Sequence, residues 1–184
     1  LPNSTLISEN STALGSSLRG AAFMTIRNIN RGRVGCFPMP TEEMNVISRR
    51  KHPRHDVWFS ELSLGSSSWS NLDGAEGDRT ALEVIQRAWQ SGIRYFDTAP
   101  YYGSGLCERR LGSGLIWRNT DDYLLSTKVG VDLDAFGQRK AVIRHYPHYA
   151  PFTPVCDYSR EGIRRSFETS LHRMGIVSCD IAYM

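Results

Sequence analysis

The chain has 184 residues, 40% of them hydrophobic and 22% charged, a globular composition with room for one ordinary domain or part of a larger one. Its formal net charge of +3 is uneven: residues 1–56 hold 8 Lys/Arg against 4 Asp/Glu, and residues 57–184 hold 14 against 15. The larger segment therefore lacks the clustered basic charge of a nucleic-acid-binding surface. No apolar run approaches a membrane span, and the N-terminus lacks the apolar middle of a secretory signal. Cys36, Cys107, Cys156 and Cys179 form no CxxC pair, so reduced thiols in a cytoplasmic protein are expected, with Cys179 in the core.

Residues 1–56 read as an N-terminal extension, disordered or partly spurious, ahead of a domain over residues 57–184. The first seventeen residues are rich in Ser, Thr and Asn, with sequons at Asn3 and Asn10. No acidic residue occurs between Asn10 and Thr41, while Arg19, Arg27, Arg31 and Arg33 supply positive charge. That pattern is a weak match to an organellar transit peptide, because Gly and Pro interrupt its apolar periodicity. The chain opens on leucine, and Met24, Met39 and Met44 are candidate starts.

From Val57 the pattern becomes that of packed elements. Glu61 to Ser66 is expected as a first core strand. Asp78 is placed at the cap of a helix with Ala81, Leu82, Ile85, Ala88 and Trp89 at helical spacing and Gly92 as its stop. Tyr95–Asp97 is the second strand, Leu106–Trp117 the second helix, and Tyr123–Thr127, running into Lys128, the third strand. Val129 to Asp157, with Pro147, Pro151 and Pro154, reads as a long irregular loop of the kind that serves as a lid. Ser159 caps a third helix whose stripe is Ile163, Phe167, Leu171 and Met174, and Gly175 stops it. Cys179 to Met184 is the fourth strand. Strands alternating with helices predict a parallel α/β sheet with right-handed crossovers, and a last strand without a covering helix predicts a chain cut short.

Asp97, Tyr102 and Lys128 stand at or just beyond strand ends, so a parallel sheet would gather them on one rim. Burial disfavours a charged lysine unless a carboxylate is near, and Asp97 is placed to supply one. The pair would then hold positive charge beside the Tyr102 hydroxyl and favour loss of its proton, as a general acid requires. The bland alternative stays open on spacing alone: Asp97 capping a turn, Tyr102 on the surface and Lys128 snorkelling.

The phrases FDTAPYYGSGLCERRLG, LLSTKVG and DYSREGIRRSFETSLHRMG followed by CDIAYM resemble the aldo-keto reductase superfamily, in its aldose dehydrogenase branch (the relatives of D-threo-aldose, L-fucose and L-galactose dehydrogenases). The resemblance covers residues 57–184 in collinear order. RRKHPRHDVWFSELSLG resembles that family's opening hairpin and first strand, which favours Met44 as the start. The resemblance implies a (β/α)8 TIM barrel, of which about the first four strands are present, and an Asp-Tyr-Lys-His tetrad carried by Asp97, Tyr102 and Lys128. The histidine's position would fall one residue after Met184. The resemblance also implies a nicotinamide cofactor, NADP or NAD, touched by Gly65, Ser66 and Asp97, and a small sugar or aldehyde substrate, with Tyr102 as proton donor. The alternative is a catalytically silent truncated barrel or non-enzymatic binding subunit; the chain by itself is expected to be inactive and prone to aggregate through open strand edges. Neither nucleic acid nor membrane is expected as a partner.

Other constellations carry less. His52 with His55 and His145 with His148 are spaced three apart, but Pro53 and Pro147 interrupt the pairs, and no metal site is assigned. The arginine pairs 109–110 and 164–165 are read as helix-surface charges, with Glu161 and Arg165 as an i,i+4 partnership.

Overall fold

The computed structural model describes residues 23–25, 47–135 and 150–184. The main sheet has five strands in the order β1 (Phe23–Thr25), β9 (Ile181–Tyr183), β6 (Leu124–Lys128), β5 (Tyr95–Asp97) and β4 (Leu64–Gly65). β4, β5, β6 and β9 run parallel, each following the last in sequence along the sheet, while β1 pairs antiparallel with β9. Two hairpins flank this sheet: β2 (Arg49–Lys51) with β3 (Trp58–Ser60), and β7 (Val131–Asp134) with β8 (Thr153–Cys156).

Three helices cross between the parallel strands: α1 (Gly74–Gln90), α2 (Leu106–Leu115) and α3 (Arg160–Met174). Their apolar spacing turns one face of each onto the sheet. Ala81, Ile85 and Ala88 of α1 are buried, as are Cys107, Leu111 and Leu115 of α2 and Met174 of α3. They meet Phe96 and Leu125, which point from β5 and β6 to the helix side and are 0% exposed. Burying each of the larger side chains here, Ile85, Leu111, Leu115, Phe96, Leu125 and Met174, contributes about 1.5–3 kcal/mol. Cys179 joins it, and burial pushes its thiol up to about 12.

Several elements differ from expectation. α1 begins a turn earlier than Asp78, with Asp73 at its N-cap. Asp78 lies inside the helix because its carboxylate serves arginines of α2 instead: Oδ1 accepts from Arg110 Nε at 2.7 Å and Oδ2 from Arg109 at 3.1 Å. Leu82 is 41% exposed and lies off the buried stripe. The first core strand shrinks to Leu64–Gly65, since only those residues find register partners, in Phe96 and Asp97. α2 stops at Leu115, short of Trp117, which is 85% exposed. The stretch expected as an irregular lid contains the β7–β8 hairpin; Pro147, expected within it, lies outside the described residues. β1 and β2 come from the segment before residue 57. The caps of α3 are as expected: Ser159 Oγ accepts from Gly162 N at 3.1 Å, and Gly175 ends the helix.

Candidate active site at the C-terminal rim of the sheet

Alternation along the parallel strands sorts the side chains by face. Phe96, Leu125 and Thr127 turn to the helices; Tyr95, Asp97, Ser126, Lys128 and Tyr183 turn to the other face. Asp97 lies opposite Ser126 and Lys128 opposite Tyr183, so the three strands deliver their polar residues to one rim.

Lys128 is the centre of the group. Its Nζ donates to Asp97 Oδ2 at 2.8 Å and to the Thr98 carbonyl at 3.0 Å, and lies 4.9 Å from the centre of the Tyr102 ring. Burial is the largest single influence on its ammonium and pulls its pKa down. The hydrogen bond and charge of Asp97, with help from Tyr102, outweigh it, and the pKa stands above the ordinary lysine value. The other Asp97 oxygen accepts from Ser126 Oγ at 2.5 Å. The structure thus brings together the three residues that spacing singled out.

Tyr102 reaches the rim because the chain doubles back after β5. Gly103, Ser104 and Gly105 take φ of 59°, 51° and 91°, three left-handed residues in succession. Glycine adopts that region freely, whereas Ser104 is held there at a steric cost. At Gly105 a Cβ would also come within 2.9 Å of Leu133 and Arg173. The reversal lets α2 start immediately while Tyr102 stays over Lys128.

Behind the rim, Thr127 donates to Glu108 Oε1 at 2.9 Å, and Arg173 donates to Glu108 Oε2 at 2.7 Å. Glu108 is 0% exposed, so this ion pair fixes the residue next to Lys128 against α2 and α3 from inside the protein. Arg110, expected on the helix surface, is 3% exposed and donates to the Trp69 and Leu72 carbonyls as well as to Asp78. Arg165 likewise pairs with Asp132 and Asp157, not Glu161, whose partner is Arg164.

The expected cofactor residues divide. Gly65 ends β4 beside Asp97, and a Cβ built there meets nothing within 4 Å. Ser66 is buried: its N–H donates to the Asp97 carbonyl at 3.0 Å and its hydroxyl to Thr98 Oγ1 at 2.9 Å, so both its donors shape the turn.

A cleft of about 380 Å³ opens beside the group, walled by Tyr101, Tyr102, Lys128, Val131, Tyr158 and Tyr183. A larger cleft of about 850 Å³ lies on the helix side, at the starts of α1 and α2, and none of Asp97, Tyr102 or Lys128 lines it. Its arginines 109, 110 and 173 are engaged by Asp78 and Glu108, whereas Tyr102 and Lys128 line the smaller cleft. Among the described residues no group of three or more His, Cys, Asp or Glu is arranged to hold a metal ion. His52 and His55 lie with ring centres 4.8 Å apart, and His52 Nδ1 accepts from the Arg54 and His55 amides; His145 and His148 lie outside the described residues.

Sequence reasoning passed over Ser126, Tyr95, Tyr183 and Glu108. The signal for Tyr95 and Ser126 was period-two alternation back from Asp97 and Lys128, which places them on the same face; Tyr183 joins them only through the register of β9 opposite Lys128.

A parallel sheet backed by helices, with a carboxylate, a phenol and an ammonium gathered at its C-terminal edge, is a barrel-type site equipped for proton transfer. The chain belongs to the Aldo/keto reductase family, which it matches over residues 61–184. Its fold is accordingly that of part of a (β/α)8 barrel, with β4, β5, β6 and β9 as the first four parallel strands. It is 35% identical over 127 residues to D-threo-aldose 1-dehydrogenase of a Pseudomonas species, covering 67% of this chain and 39% of that protein. It is 30% identical over 150 residues to pyridoxal 4-dehydrogenase of Microbacterium luteolum, covering 77% and 44%. The structure overlies an aldo-keto reductase of Bacillus halodurans in its holo form with a TM-score of 0.56 and 26% identity, over 73% of this chain and 38% of that one. The chain thus spans about two fifths of the length of these relatives. Among the described residues no helix is long and apolar enough to cross a membrane.

Proposed function

We infer that the protein is an NAD(P)-dependent oxidoreductase interconverting an aldose or related alcohol and its carbonyl form, with Asp97, Tyr102 and Lys128 as its proton-handling group. The observation that carries this reading is Lys128 held between Asp97 and Tyr102 on the wall of an aromatic cleft. The names of the two dehydrogenases, one acting on an aldose and one on pyridoxal, support a small carbonyl-bearing substrate.

In the reducing direction Tyr102 gives its hydroxyl proton to the substrate oxygen. The Lys128 ammonium stabilises the phenolate that remains, and Asp97 keeps Lys128 charged and in place. In the oxidising direction the Tyr102 phenolate takes the alcohol proton. The nicotinamide, when bound, supplies or accepts the hydride at the substrate carbon, so each direction moves one hydride and one proton. Gly65 and Asp97 fit the nicotinamide end of NADP or NAD: Gly65 leaves the rim open, and the Asp97 side chain remains 26% accessible. The free thiols of Cys107, Cys156 and Cys179 suit a reducing, cytoplasmic setting.

The test follows nicotinamide absorbance with a panel of aldoses and pyridoxal, using the full-length protein. Turnover should fall by about 10²–10⁴-fold in Tyr102→Phe, the ordinary contribution of a positioned general acid. Cofactor binding without turnover on any member of the panel would instead favour a catalytically silent binding protein.

A further inference from the structure

The face that carries Asp97 also holds three hydroxyls that the proton-transfer scheme leaves unused. Ser126 Oγ lies 2.5 Å from Asp97 Oδ1 and 3.1 Å from Tyr95 Oη, and Tyr95 Oη lies 3.0 Å from Tyr183 Oη. These side chains come from β6, β5 and β9, so the series ties the three strands together on the inner face.

Counting protons gives the series a direction. Ionised Asp97 can only accept, so the single Ser126 proton goes to it. Ser126 Oγ must then accept from Tyr95, whose own proton is used there, and Tyr95 must accept from Tyr183. Every dipole in the series therefore points at the carboxylate, and each bond polarises the next. Without the Tyr95 hydroxyl, the Ser126 rotor could turn to the Phe96 carbonyl, which lies 3.5 Å away.

We propose that Ser126, with Tyr95 and Tyr183 behind it, is a positioning residue that clamps one oxygen of Asp97 so that the other stays on Lys128. This rests on the reading of Asp97, Tyr102 and Lys128 as the proton-handling group. It assigns the inner face of three strands a part in that group. The groups facing Lys128 are Asp97 from β5, Tyr102 from the following turn and Tyr183 from β9, its ring centre 5.9 Å from Nζ.

The experiment measures how fast an amine-acylating reagent labels Lys128 in the full-length protein at fixed mildly alkaline pH, by peptide mass spectrometry. Only the neutral amine reacts. Ser126→Ala should label about three- to tenfold faster, because an unclamped Asp97 holds the ammonium less well and each unit of lysine pKa is a factor of ten. Tyr95→Phe should change the rate in the same direction by less, and Ser126→Thr, which keeps the hydroxyl, should stay near the native rate. A native rate in Ser126→Ala, or a fast rate in Ser126→Thr, would overturn the proposal. If Ser126→Ala fails to fold, Tyr95→Phe removes one oxygen from the same series and decides the matter alone. The labelling reads Lys128 whether or not any substrate turns over, so loss of the clamp and loss of the oxidoreductase reading are separate results.

Discussion

At the scale of single residues, Lys128 shows how competing effects settle. Burial alone would lower its pKa, yet Asp97 and Tyr102 together raise it above the ordinary 10.5. A lysine raised on folding stabilises the native state fully below its unfolded value, and that contribution is lost as pH climbs through the folded value. Asp97→Asn should therefore lower stability at neutral pH and flatten the alkaline loss. The expected size is on the order of 1 kcal/mol, because the Lys128 side chain is 35% exposed and solvent screens the pair. Denaturant titrations of both proteins from pH 7 to 11 measure it; parallel profiles would show that Asp97 does not hold the lysine. Asp97, Tyr102 and Lys128 stood out in the sequence because Asp97 and Lys128 end apolar strands that need no such polar chemistry and Tyr102 follows one in a glycine-rich turn. Glu108 was not legible: its partners Thr127 and Arg173 are 19 and 65 residues away, and a charge on an amphipathic helix is ordinarily solvated. Asp78 misled for the same reason. Its sequence position suits a cap, but its carboxylate is drawn to arginines about thirty residues downstream.

At the scale of elements, the packing of α2 on α3 depends on a glycine. A Cβ on Gly112 would lie 2.0 Å from the Met174 carbonyl oxygen and 2.5 Å from the Met174 carbonyl carbon, so the two helices meet backbone to side-chain-free backbone. In an exposed helix, Gly→Ala would gain roughly 0.5–1 kcal/mol. Here the added methyl meets backbone, which cannot rotate aside, and the sign should reverse. Gly112→Ala should destabilise by about 1–3 kcal/mol or more, as overpacked cores do, and a thermal melt at or above that of the native protein would contradict this packing. The consequence reaches the site, since α3 carries Arg173, the partner of Glu108 behind Lys128. The β7–β8 hairpin escaped sequence reading because β8 contains a proline. Pro154 faces Leu133 in a sheet of only two strands, where every strand is an edge and a missing N–H is tolerated. The helices were easier to find, since their apolar spacing repeats over two to four turns, whereas strands of two to five residues leave little pattern to read.

At the scale of the molecule, the parallel order β4, β5, β6, β9 is that of a barrel opening strand by strand, and strand–helix alternation was enough to predict it. The antiparallel seat of β1 on β9 was not predictable from the composition of residues 1–56, which lacks the alternation that marks a strand. It has a topological consequence. In a parallel barrel the free edge of the fourth strand takes the fifth strand, and that edge cannot pair with β1 and a parallel strand at once. Phe23, Met24 and Thr25 stand opposite Tyr183, Ala182 and Ile181, so β1 occupies the ladder beside the strand that carries Tyr183 to the rim. An unpaired edge is a template for another chain, and a short antiparallel strand laid on it blocks that pairing. If β1 supplies the ladder, deleting residues 1–43 from this chain should speed amide exchange within Ile181–Tyr183 while leaving Tyr95–Asp97, two strands further in, unchanged. Exchange at Ile181–Tyr183 that ignores the deletion would mean that β1 does not protect that edge, and the antiparallel pairing would lose its place in the fold.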